Sequence, residues 1–171
     1  MCIVSYAQRT QLRTMSTFTH MKLFNKILNY QKLSRTYTLG LLQAKAYRVL
    51  KRKTGAFLEA YTLTTIEWAL LGLVYEKKAG EAPTELGAIL GVKGPFVTRL
   101  IAALQKKKLV TIEKSPTDSR AKIVMLTAHG RTQVEHIESL LRIESKTWIK
   151  GVSTRDIISY ISVLNAIARD E

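Results

Sequence analysis

Arg120 stands two residues after Asp118, in the short segment Pro116-Thr117-Asp118-Ser119-Arg120 that separates two β-rich runs. A thin cationic side chain at the tip of a tight turn, with Ser119 beside it, can enter a narrow DNA minor groove, where the negative potential is enhanced. The plainer alternative is a solvated arginine in an ordinary proline turn. A second set precedes it: Phe96, Thr98, Arg99, Ala102, Lys106 and Lys107 lie on the outer side of one helical stretch and leave it basic, with Lys93 in the turn before it. Arg pairs bidentately with guanine, a contact worth about 1–3 kcal/mol of discrimination, and a phenyl ring suits a thymine methyl. Lys93, Lys106 and Lys114 suit phosphates, which supply affinity and salt dependence but no sequence preference. The alternative for the whole face is ordinary solvation.

Several elements must hold these groups in place. A helix is expected from about Thr38 to Thr62, on the spacing of Leu42, Ala46, Val49, Leu50 and Phe57, with Gly55 weakening its second half. Thr64 and Glu67 form a capping-box pair ahead of Ile66, Ala69, Leu70, Leu73 and Val74, and Ala79-Gly80 ends that helix. A short helix from Thr84 is expected to bury Leu86, Ile89 and Leu90 and to stop at Gly91. Pro95 then opens a helix running to about Lys107, with Val97, Leu100, Ile101 and Leu104 inward. Two helices joined by a glycine-containing turn make a helix-turn-helix candidate. The runs Leu109–Lys114 and Lys122–Thr127 read as a β-hairpin. A helix-turn-helix followed directly by a hairpin is a winged helix. Thr127 caps a further helix over His129–Ile149, Gly151 ends it, and Ser153 with Asp156 opens the last, which carries Ile157, Ile158, Ile161, Leu164 and Ala168.

Composition narrows the partner. The 171 residues carry a net charge of +14, which implies an anionic partner, nucleic acid first and acidic membrane second. Residues 1–58 hold eleven Lys or Arg and no Asp or Glu, so the excess lies in the N-terminal third. Residues 1–36 form a basic, Ser/Thr-rich extension with three readings: an organelle transit peptide, a start upstream of the true one at Met15 or Met21, or a flexible arm for nucleic acid backbone. No run of about 18 apolar residues is present, so no membrane span is expected. The single cysteine, Cys2, points to a reducing, cytoplasmic setting.

The order of parts resembles the MarR family of winged-helix transcriptional regulators from about Thr38 onward. LGAILGVKGPFVTRLIAALQKKKLV is similar to that family's helix, turn and recognition helix, and TDSRAKIVMLTAHG to its wing and the helix start after it. The resemblance implies a mainly α fold with a small β-hairpin wing: a winged helix-turn-helix over 63–127, with long dimerisation helices over 37–62 and 128–171. It implies a homodimer on double-stranded DNA, the recognition helix in the major groove and the wing arginine in the minor groove. Asp118 then orients the wing by pairing with a basic residue, for which Arg99 is the candidate. Trp148, Ile149, Ile157, Ile161 and Leu164 are the expected dimer contacts. A small anionic or aromatic effector is a further expectation, and a repressor role goes with the family. Lys93-Gly94-Pro95-Phe96 departs from the small polar residues usual at this helix start, so no relative's sequence preference carries over.

Two other function classes remain open. One is a nonspecific architectural nucleic-acid binder gripping through the basic N-terminal third; the other is a protein-interaction module with Phe96 as anchor. No cofactor, metal set or catalytic constellation is expected, and an enzyme is the weakest reading.

Overall fold

A computed structural model describes residues 35–115 and 120–169. The chain forms two compact units, Met1–Arg52 and Lys53–Glu171. Helix α1, Thr36–Leu58, starts two residues earlier than its periodicity suggests. Within the first unit its Tyr37, Leu41, Leu42 and Tyr47 side chains are exposed, and the Lys51 ammonium lies 5.9 Å from the Tyr47 ring centre.

In the second unit a 3-10 turn, Glu59–Tyr61, is followed by α2 (Thr65–Glu76), α3 (Pro83–Leu90), α4 (Gly94–Lys106), β1 (Val110–Lys114), β2 (Lys122–Leu126), α5 (Ala128–Trp148) and α6 (Thr154–Ala168). Helices α2, α5 and α6 start where the side-chain caps Thr64, Thr127 and Ser153 put them. Thr64 Oγ1 accepts from the Glu67 amide at 3.3 Å, and Glu67 Oε2 accepts from the Thr64 amide at 2.8 Å. That satisfies two donors that a helix end otherwise leaves open. Helix α3 opens on Pro83, one residue before the expected Thr84, and ends at Gly91 in the left-handed region (φ 63°).

Helices α3 and α4 are joined by Gly91-Val92-Lys93, the turn expected of a helix-turn-helix. They meet closely at Gly87, where a Cβ would sit 3.1 Å from Val97 Cγ2. Leu58, Leu70, Leu86, Leu104, Val124 and Ile137 are almost wholly buried in one core that draws on the end of α1, all the middle helices and β2. Each such side chain contributes about 1.5–3 kcal/mol through burial. Ile89 was expected in this core and is 58% exposed. Helix α3 is only eight residues long and packs through Leu86 and Gly87; Ile89 lies roughly 100° round the helix from that face.

The hairpin is antiparallel, with Val110 opposite Leu126 and Lys114 opposite Lys122. An unexpected third extended residue flanks it: Glu81 exchanges two backbone hydrogen bonds with Val124, at 3.1 and 2.8 Å. At the far end Thr127 caps α5, its hydroxyl accepting from the Gly130 amide at 2.9 Å and donating to the Lys108 carbonyl at 2.7 Å. Any side chain at position 130 would run into the Leu109 backbone, so α5 can seat on the base of the wing only through glycine. Helix α6 is capped by Ser153, whose Oγ accepts from the Asp156 amide at 3.2 Å, and it contains no buried residue. Among the described residues no single helix is long and apolar enough to cross a membrane.

Candidate nucleic-acid interface

Helix α4 turns Val97, Leu100, Ile101 and Leu104 into the core and leaves the opposite side open. Lys93 is its N-cap residue, and Pro95 lies in its first turn. Lys93, Thr98, Arg99 and Lys106 are each exposed, and Arg99 and Lys106 lie opposite the buried stripe. Thr98 Oγ1 donates to the Gly94 carbonyl at 3.1 Å, which ties its hydroxyl back to the helix start. The Arg99 guanidinium lies 5.5 Å from the centre of the Phe96 ring, one turn before it. Phe96 is 37% exposed, so it offers the rest of its ring outward while covering part of the arginine.

The wing adds a second cationic stretch. Lys114 and Lys122 face each other across the last register pair of the hairpin, both exposed. Arg120 is exposed in the turn beyond them. Ser119 and Asp118 lie outside the described residues, and with Asp118 goes the expected pairing to Arg99.

Lys107 departs from expectation. It was placed on the outer basic face; instead its ammonium turns inward, donating to Glu67 Oε1 at 2.6 Å and to the Thr62 carbonyl at 2.7 Å. Glu67 is only 4% exposed. Burial pushes its carboxyl pKa up, but hydrogen bonds from Lys107 and from the Thr64 amide and hydroxyl outweigh that, and the pKa is lowered from the ordinary value. A signal for this was present in the sequence. Lys107 falls three residues after Leu104 and seven after Leu100, on the apolar stripe rather than the polar one. A cation continuing a buried stripe needs an acid, and Glu67 had been assigned to its cap alone.

Beside this pair lies a cavity of about 310 Å³. Its floor is apolar, from Leu63, Leu71, Val134 and Ile137, and Tyr61, Lys107, His129 and Gln133 stand at its edge. His129 and Gln133 carried no role in the sequence reading; they reach the cavity because α5 is seated against the base of the wing.

The terminal helices are unlike the core. Of the five expected dimer contacts, Ile149 and Ile161 are exposed (40% and 50%), while Trp148, Ile157 and Leu164 are half-buried. The Trp148 indole is engaged within its own chain: its Nε1–H donates to Glu144 at 3.2 Å, and the Lys53 ammonium lies 5.6 Å from its ring.

Residues 61–121 match the model of the MarR family. The fold is similar to that of CouR from Rhodococcus jostii RHA1 bound to p-coumaroyl-CoA, with a TM-score of 0.72 and 19% identity over 76% of this chain and 91% of that one. A MarR-family transcriptional regulator from Rhodococcus sp. RHA1 matches with a TM-score of 0.72 and 17% identity, over 81% and 97% of the two chains. The S. aureus MepR–DNA complex matches with a TM-score of 0.66 and 24% identity, over 81% of this chain and all of that one (100%).

Proposed function

We propose that this protein is a homodimeric, sequence-specific transcriptional regulator of the MarR family, whose model matches residues 61–121, and that it binds double-stranded DNA. The observation that carries the proposal is the division of α4 into a fully buried apolar stripe and an open cationic face with Arg99 and Phe96 in its first turns. Presented to a major groove, Arg99 reads a guanine edge and Phe96 meets a thymine methyl. Lys93, Lys106 and Lys114 hold phosphates. Arg120, with Ser119, takes the adjacent minor groove, and Asp118 steadies the wing. MepR has been solved on DNA with this fold, which supports the same use here.

Dimerisation is supported by the apolar residues that α6 leaves open. Ile158, Tyr160, Ile161, Val163 and Ile167 are all exposed on one 15-residue helix, a density that marks an interaction surface. With Ile149, Ile157, Leu164 and the edge of Trp148, they form the contact with a second copy. The two recognition helices then meet successive major grooves about 34 Å apart.

The cavity between α5 and the recognition helix end is the place for an effector. An apolar floor with an ammonium, an imidazole and an amide at the edge suits a small, flat anion. CouR, solved with p-coumaroyl-CoA, carries an aromatic acid derivative on the same fold.

The test is anisotropy of the purified chain on palindromes from its own upstream region against scrambled duplexes, at two salt concentrations. A preference on the order of a thousandfold is expected for a specific regulator. Equal binding to every duplex, lost when residues 1–20 are removed, would replace this reading with a basic-arm binder.

A further inference from the structure

We infer that Glu67 is a positioning residue for DNA recognition, acting through Lys107 on the recognition helix. The inference rests on the DNA-binding reading above. Glu67 is buried in the first turn of α2, and Lys107 is the residue that ends α4. Their 2.6 Å contact, with the 2.7 Å bond from the same ammonium to the Thr62 carbonyl, fastens the far end of the recognition helix to the start of another element. Glu67 is itself fixed, since its other oxygen accepts from both the amide (2.8 Å) and the hydroxyl (2.9 Å) of Thr64. The chain leaves α4 through Lys108 in the left-handed region (φ 59°), an unfavourable conformation for a non-glycine residue. Leu109 then returns a backbone bond to Leu104 at 3.0 Å, and Thr127 holds the Lys108 carbonyl. Lys107 thus sits where recognition helix, wing and α5 converge.

The lever is long. Arg99 is eight residues from Lys107, roughly 12 Å along the helix at the α-helical rise, so a tilt of about 5° at the clamp moves it by about 1 Å. A bidentate base contact does not survive an error of that size. A buried acid therefore raises the affinity for a polyanion. Simple electrostatics expects the opposite, since removing a carboxylate should strengthen binding to DNA.

That opposition gives the test. The full-length chain and its Glu67→Gln, Lys107→Met, double and Lys107→Arg variants are titrated into a duplex carrying the wild-type-preferred sequence, at several salt concentrations. Gln retains the acceptor for the Thr64 amide, and helix content by circular dichroism checks that each variant folds. Glu67→Gln and Lys107→Met are each expected to weaken binding about tenfold, and the double variant no further, as for two residues acting as one unit. Lys107→Arg, which keeps the charge-assisted bond, is expected to bind like wild type. The salt slope should be unchanged in Lys107→Met, whereas loss of a phosphate contact would lower it by about 0.9. Wild-type binding with Glu67→Gln as tight or tighter overturns the positioning role alone. Absence of duplex binding by the wild type overturns the DNA-binding reading, and the inference with it.

Discussion

Helices α4 and α6 are both amphipathic, of 13 and 15 residues, and they end up in opposite situations. The apolar stripe of α4 is buried by its own chain, and what it leaves open includes Arg99 and Lys106 beside Phe96 and Thr98. Helix α6 buries none of its residues, and what it leaves open is isoleucine, valine and tyrosine. An amphipathic helix is stable only when its apolar face is covered. The first helix is therefore finished within the monomer and free to face a polyanion. On the proposed reading, the second is completed by another copy of the chain.

Core damage should separate the two most sharply. Leu104→Ala removes a wholly buried side chain and should cost about 2–5 kcal/mol, seen as a lowered melting temperature. Ile161→Ala should change stability far less at equal concentration. Next in size is assembly. Ile158→Glu with Ile161→Glu places two charges on the exposed face of α6 and should convert dimer to monomer in light scattering, with the α-helical spectrum retained. A variant that stays dimeric would remove α6 from the interface.

The Glu67–Lys107 pair predicts a pH dependence of smaller size. The folded-state pKa of Glu67 lies below its ordinary value of 4.5. The stability it adds is thus present above about pH 4.5 and lost as pH falls through the folded value. The melting-temperature difference between wild type and Glu67→Gln should be greatest at neutral pH and shrink in acid; a constant difference would show that ionisation is not involved. Smallest is Lys114→Ala, on the exposed last pair of the hairpin. It should weaken every duplex equally and reduce the salt slope by about 0.9, without changing sequence preference.

The contrast between α4 and α6 was largely legible in the sequence because both are long periodic helices. The spacing of Val97, Leu100, Ile101 and Leu104 has one solution, and the Thr64–Glu67 box and Gly91 mark helix ends by local chemistry. The hairpin followed from two β-rich runs about a proline turn. What escaped reading depends on which neighbour is present. Ile89 is apolar at helical spacing, but a helix of two turns meets a neighbour along too narrow a face to cover it. Glu81 is a strand of one residue and has no periodicity at all. Lys107 lay on the apolar stripe, yet only the fold brings Glu67, forty residues away in sequence, to its ammonium. The same holds for the cavity: His129 and Gln133 are unremarkable in sequence and acquire neighbours only when Gly130 lets α5 close on the Leu109 backbone.

Selection of duplexes from a random library by the full-length chain tests both helices at once. The expected result is a two-fold symmetric motif whose half-site centres lie about 10–10.5 base pairs apart, each half containing a guanine that Arg99→Ala no longer requires. A single unsymmetrical site, or no enriched sequence, would contradict the picture of one helix completed for DNA and the other for a second copy.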